Sequence, residues 1–124
     1  MLLLEDLSRE VIGAAIEVHR ELGPGLLESA YEAWLCHELG LRGIKHHRQK
    51  EQPVTYKGLL VECGYRIDIL VEDKIVLELK AVEALLPIYE AQLMTYLKLS
   101  KCRLGFLMNF NVPMMKDGIK RIVL

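Results

Sequence analysis

The chain is short of cysteine, of net charge and of long apolar runs, and each shortage removes a class of protein. Its three cysteines, Cys36, Cys63 and Cys102, are scattered and form no Cys-x-x-Cys. That argues against a disulfide framework or a cysteine zinc site and fits free thiols in a reducing cytoplasm. Formal net charge is −1, so overall charge says nothing for nucleic acid, and any anion-binding surface must be local. The opening run Met1-Leu2-Leu3-Leu4 meets Glu5-Asp6 at once. It is too short and wrongly flanked for a signal peptide or a membrane span. There is no repeat and no low-complexity tract.

What the chain does hold is a core. Of its 124 residues 52% are apolar and 27% charged, enough for one globular domain. Ser8 reads as the N-cap of a helix of about four turns, with Val11, Ile12, Ala15, Ile16, Val18 and Leu22 as its apolar stripe. Gly23-Pro24-Gly25 stops it. His19 borders the stripe, where a half-buried structural role is simpler than a site role. A second helix follows, with Leu27, Ala30, Tyr31, Trp34, Leu35 and Leu39 inward and Gly40 or Gly43 at its end. Glu28 sits in its first turn, favourably placed against the helix dipole, and Tyr31, three positions on, shares its face.

Residues 44–56 read as a strand, with Pro53 marking an edge, a bulge or a start. The basic run Lys45-His46-His47-Arg48-Gln49-Lys50 fits a solvated strand as well as a phosphate contact. Adjacent histidines point to opposite faces of a strand, which is poor spacing for a two-histidine metal site. Tyr56-Lys57-Gly58 turns the chain. Further on, Pro87 fits the first turn of a third helix, on which Gln92 and Tyr96 are neighbours. Residues 103–109 form a near-continuous apolar strand, the pattern of one covered on both faces. Asp117-Gly118 turns into a last strand at 119–124, and the five methionines read as core filler. The order is helix, helix, three strands, helix, two strands. A right-handed crossover should set the 103–109 strand parallel to 75–79, giving a mixed sheet flanked by helices.

The stretch from Arg66 to Lys80 carries charge where buried strands should not. Alternation places Cys63, Tyr65, Ile67, Ile69 and Val71 on one face, and Arg66, Asp68 and Leu70 on the other. In the second run Ile75, Leu77 and Leu79 oppose Val76, Glu78 and Lys80. Keeping the odd-numbered apolar residues on one face requires an odd loop. Glu72-Asp73-Lys74 as that loop sets Val71 opposite Ile75 and Asp68 opposite Glu78. Opposed side chains have Cβ atoms roughly 5 Å apart, and two carboxylates there repel by roughly 3 kcal/mol at an effective dielectric of about 20. A shared proton, Arg66 and Lys80, or a divalent cation must offset that. A solvated ion-pair cluster satisfies the pattern as well as a metal site does.

These residues resemble the PD-(D/E)xK nuclease superfamily. Asp68, a spacer of nine residues and Glu78-Leu79-Lys80 match its core, with Ile67 where a proline is usually written. Gln92-x-x-x-Tyr96 is similar to the glutamine–tyrosine motif of the RecB- and Cas4-like branch, and Gly25-Leu26-Leu27-Glu28-Ser29-Ala30-Tyr31 to the signature of the small GxxExxY proteins. The resemblance spans nearly the whole chain.

It implies a restriction-endonuclease-like α/β fold, an antiparallel meander plus a parallel strand in the order ααβββαββ, as a single domain over residues 1–124. It also implies a metal-dependent nuclease acting on nucleic acid, DNA before RNA. Asp68 and Glu78 would hold Mg²⁺ or Mn²⁺ with the Leu79 backbone carbonyl, and Glu28 would complete the acidic cluster. Lys80 would orient or deprotonate the attacking water. Gln92, Tyr96, Tyr31 and Arg66 would support or position the substrate, and His19 is a further candidate from its helix. A domain this small covers little DNA, which favours a homodimer. Two other readings stay open: a catalytically inactive module of the same fold that binds nucleic acid or a protein partner, and a purely structural ion-pair cluster.

Overall fold

The computed structural model describes residues 4–62 and 64–124. Cys63 and the opening Met1-Leu2-Leu3 lie outside the described residues.

Helix α1 runs Glu5–Leu22, a turn earlier than Ser8 capping would require. Glu5 and Asp6 occupy the first turn, where the dipole favours them. Ser8 is therefore interior to the helix and buried, and among the described residues its hydroxyl has no hydrogen-bond partner. The helix stops where expected: Gly23 takes φ 70, and its N–H donates to the His19 carbonyl. Helix α2 spans Glu28–Leu41 and runs through Gly40. Its inward face is Tyr31, Leu35 and Leu39, whereas Leu27 is 75% and Trp34 40% exposed, so neither is the core residue that the spacing predicts.

The chain then makes five strands before the third helix, two more than the sequence predicts. They are β1 His46–Glu51, β2 Val54–Tyr56, β3 Leu59–Val61, β4 Arg66–Val71 and β5 Ile75–Lys80. Tyr56-Lys57-Gly58 does not lead directly into the central hairpin. Lys57 and Gly58 both have positive φ, the geometry of a tight two-residue hairpin loop, and they fold β2 onto β3 as a separate two-stranded sheet. After β5 come α3 Pro87–Ser100, β6 Leu104–Asn109 and β7 Ile119–Val123.

The main sheet has the order β1-β4-β5-β6-β7. β5 and β6 pair in parallel and the other neighbours are antiparallel. This is a restriction-endonuclease-like mixed sheet. On one face α1 and α2 close over Ile69, Val71, Leu77, Leu79, Phe106 and Met108. On the other, Leu93, Tyr96 and Leu97 of α3 close over Leu70, Val76 and Leu107. The sheet is thus covered by helices on both sides, which is why β6 is buried throughout. Gly105 lets α3 approach: a Cβ there would stand 2.9 Å from the Leu93 side chain and 3.1 Å from the Val76 carbonyl.

One strand breaks its expected alternation. Ile67 joins Leu70 and Val76 under α3, not Ile69 and Val71 under α1 and α2. The faces switch at Asp68, where the regular ladder with β5 gives way to side-chain hydrogen bonds.

Candidate active site

The β4–β5 hairpin has the register that alternation demands: Val71 pairs with Ile75, Leu70 with Val76 and Ile69 with Leu77. One further step sets Asp68 against Glu78, and there the carboxylates take over from the backbone. Leu79 N–H donates to Asp68 Oδ2 at 2.9 Å. Asp68 N–H donates to Glu78 Oε1 at 3.3 Å. Each acid is thus held by the amide of the opposite strand, which fixes two long-range partners with little side-chain freedom. Gln49 of β1 lies on the other side of Asp68, between the pairs Arg48–Ile69 and Lys50–Ile67, and takes φ 54.

Burial dominates the electrostatics. Glu78 is 6% exposed; desolvation, and then the Asp68 charge, push it up to about 9, with Lys80 opposing only weakly. Asp68 is also raised, first by burial and further by the Glu32 charge, against the opposing Leu79 N–H. The pair therefore holds a proton at neutral pH, one of the three ways to relieve its repulsion. Lys80 makes no ion pair with either acid. Its Nζ lies 4.6 Å from the centroid of the Tyr89 ring, near enough for a cation–π contact. Tyr96 comes within electrostatic range of both acids. Burial raises its hydroxyl, the charges of Glu78 and Asp68 raise it further, and a hydrogen bond with Gln92 opposes them. Tyr96 of α3 thus lies within electrostatic range of the carboxylate pair, with Gln92 beside it one turn earlier on the helix.

Other expected residues lie elsewhere. Tyr31 is fully buried and cannot meet a substrate. Its hydroxyl donates to the Gly23 carbonyl at 2.5 Å and accepts from Leu26 N–H at 3.2 Å, while its ring stacks on Phe110 at 4.5 Å. It pins the Gly-Pro-Gly loop to the core. His19 is buried, with Nε2 2.8 Å from the Val112 carbonyl, so it ties α1 to the segment after β6 in the structural role. Arg66 is exposed at the start of β4 and is not among the groups that shift Asp68 or Glu78.

Glu28 is exposed at the first residue of α2. The α2 acid whose charge reaches Asp68 is Glu32, one turn later. Glu32 is 7% exposed. It accepts from Arg48 Nε at 2.7 Å and from Gln49 Nε2 at 2.8 and 3.0 Å. Sequence reading missed this trio. The available signal was the position of Glu32, four residues after Glu28 and so on the same helix face, together with the polar pair Arg48-Gln49 in the facing strand.

Cys36 is pushed up to about 11, chiefly by burial, and remains a neutral thiol. Among the described residues no three His, Cys, Asp or Glu side chains come together closely enough to form a metal site by themselves. The donor set is the Asp68–Glu78 pair. It suits a hard cation such as Mg²⁺, which is commonly held by one or two carboxylates with the remaining positions left to water and substrate phosphate. A cation would also replace the proton in offsetting the repulsion.

No helix among the described residues is long and apolar enough to cross a membrane. Comparison with curated proteins and with solved structures returned no match. The family comparison did: the sequence pattern of the PD-(D/E)XK nuclease superfamily matches residues 5–122, and the chain belongs to that superfamily.

Proposed function

We propose that the protein is a Mg²⁺- or Mn²⁺-dependent nuclease of the GxxExxY family, in the RecB- and Cas4-like branch, hydrolysing phosphodiester bonds in DNA before RNA. The observation that carries this reading is the mutual clamp of Asp68 and Glu78 by amides of the opposite strands. A buried and a half-buried acid set against each other, with no cationic partner in contact among the described residues, are costly to keep, and a divalent ion is the occupant that their chemistry best accommodates.

In this reading Asp68, Glu78 and the Leu79 carbonyl hold the ion. When bound, it supplies Lewis acidity toward the phosphodiester. Lys80, on the same strand two residues after Glu78, orients or deprotonates the attacking water. Gln92 and Tyr96 set the approach of the strand from α3. Glu32 takes the inner acidic role on α2, held ready by Arg48 and Gln49. Glu28, on the same face one turn closer to solvent, keeps an outer one.

The test is cleavage of single- and double-stranded DNA by purified protein with Mn²⁺, beside Lys80→Ala and Asp68→Asn. Cleavage by the parent alone supports the proposal, and equal cleavage in all three samples means a contaminant and removes it. The inactive-module alternative draws on the engagement of Glu32 by Arg48 and Gln49. It predicts binding of nucleic acid or of a protein partner that is indifferent to EDTA and to Asp68→Asn.

A further inference from the structure

Arg48 and Gln49 are neighbours in β1, and successive side chains of a strand point to opposite faces. Both nevertheless reach one carboxylate of α2. Arg48 Nε donates to Glu32 Oε1 at 2.7 Å, and Gln49 Nε2 donates to Oε1 at 2.8 Å and to Oε2 at 3.0 Å. The backbone of Gln49 allows this convergence. Its φ is 54, in the left-handed region where a side chain is strained and glycine is at ease. The distortion sits at one defined level of the sheet. The pairs Arg48–Ile69 and Lys50–Ile67 set Gln49 opposite Asp68, and no ladder pair joins these two. The register is the same on both sides of the gap, so no extra residue is inserted, as it would be in a bulge.

Backbone strain of this kind persists where the surroundings hold it, and it concentrates at functional sites. Packing does not account for Gln49, which is exposed. Neutralising Glu32 does not either, because Arg48 supplies the counter-charge. What the amide adds is direction. A carboxylate offers about four lone-pair sites, and Arg48 and Gln49 occupy three of them, two on Oε1 and one on Oε2. Bonded through both oxygens, the carboxylate is fixed in its plane and keeps one acceptor site, on Oε2. Glu32 is also the acid of α2 whose charge reaches Asp68. We infer that Gln49 is a positioning residue of the metal site, fixing the Glu32 carboxylate beside Asp68 by means of a backbone conformation that glutamine otherwise avoids. The inference rests on the metal-site reading above and adds a residue that is not itself a ligand. Gln49 acts through Glu32, as the partners of metal ligands do.

The experiment is titration calorimetry of Mn²⁺ into the whole protein, without nucleic acid and well below each variant's melting temperature. Gln49→Met keeps the length of the side chain and removes its donor. Gln49→Gly removes the side chain and suits the backbone. Each should weaken Mn²⁺ binding about tenfold or more, the usual effect of losing a partner of a metal ligand. In EDTA Gln49→Gly should melt no lower than Gln49→Met, since glycine relieves the left-handed conformation. Affinity would then fall without following stability. Added to Glu32→Ala, Gln49→Met should weaken binding no further, because its effect passes through the lost carboxylate. Binding within about twofold of the parent in both Gln49 variants overturns the inference, and so does full additivity with Glu32→Ala. Asp68→Asn separates that failure from failure of the metal site. If Asp68→Asn abolishes binding while both Gln49 variants keep it, the metal site stands and Gln49 has no part in it. If Asp68→Asn binds as the parent does, or the parent binds no Mn²⁺, the two readings fall together.

Discussion

Asp68 and Glu78, ten positions apart in the chain, are each fastened by a backbone amide of the strand that carries the other. The arrangement buries Glu78 and half-buries Asp68 at the edge of the ladder and leaves them a proton to share. It makes stability depend on pH in an unusual direction. Glu78 is raised from an ordinary carboxylate value of 4.5 to about 9, and Asp68 is raised as well. Between those limits the folded chain keeps a proton that the unfolded chain has released, so stability falls as pH rises. The expected outcome for metal-free protein is a melting temperature higher at pH 5 than at pH 8. Glu78→Gln, which cannot release a proton, should flatten much of that slope. Scanning calorimetry of both proteins across the range is the check.

Metal should reverse the trend. Its binding requires deprotonated ligands, so Mn²⁺ affinity should rise from pH 6 to pH 8 as the shared proton is displaced. A ligand bound only by the folded state raises the melting point, by an amount equivalent to about 2.7 kcal/mol at a hundredfold excess over Kd. Asp68→Asn and Glu78→Gln should each lose that rise. A rise that persists in both variants places the ion elsewhere.

The hairpin was legible because its constraint is simple: odd-numbered apolar residues share a face, the loop must be odd, and the register Val71–Ile75 follows. The parallel β5–β6 pair was legible for the same sort of reason, because a helix returning between two strands sets them side by side in one direction. Ile67 was not, because a period of two says nothing about where the ladder yields to a carboxylate. The β2–β3 hairpin was missed because Lys57 takes a left-handed conformation that a non-glycine residue rarely adopts. In the site, Asp68 could be set against Glu78 by register alone. Glu32 could not, since its role depends on Gln49 reaching back to it from a strand, a tertiary relation with no sequence period.

The two acids of α2 should separate in experiment. Glu32→Ala removes the partner of Arg48 and Gln49 in a buried setting and should cost about 1–3 kcal/mol. Glu28→Ala, at an exposed position, should change stability by less than about 0.5 kcal/mol. If Glu32 is the inner acid, its loss also weakens Mn²⁺ binding more than loss of Glu28 does. Denaturant melts and titration calorimetry measure the two effects separately, and a stronger Mn²⁺ defect in Glu28→Ala would restore Glu28 to the inner role.

Ser8 gives a prediction of opposite sign. Its hydroxyl is buried without a partner among the described residues, a desolvation cost with nothing returned, and it sits inside α1, where serine is also a poorer helix former than alanine. Ser8→Ala should therefore stabilise the chain by about 0.5–1.5 kcal/mol. The site lies elsewhere, so the gain should leave Mn²⁺ binding unchanged. Urea melts with an unaltered slope would show that the shift in midpoint is a true gain in stability, and a loss of stability would mean that the hydroxyl finds a partner, such as a buried water.

Gly118 marks the least forgiving backbone position. It closes the 3-10 turn Met115–Gly118 that leads into β7, and a Cβ there would stand 2.1 Å from the Asn109 carbonyl oxygen and 3.0 Å from Val112. Backbone cannot step aside as a flexible side chain can. Asn109 is itself committed: its side chain accepts from Val82 N–H and donates to the Val82 carbonyl, tying the end of β6 to the segment just after β5. Gly118→Ala should thus destabilise by more than about 2 kcal/mol and loosen the exit of β5, two residues beyond Lys80. The sharper expectation is that it weakens Mn²⁺ binding at temperatures where the chain is still folded, because the strain falls on Asn109, which pairs with Lys80 at the end of the strand that carries Glu78. Gly105→Ala, which presses on Leu93 of α3 and on the Val76 carbonyl near the start of β5, should cost stability without that early loss of the metal site. Hydrogen exchange at the Leu79 amide, compared between the two variants, distinguishes a local opening at the site from a general loss of stability.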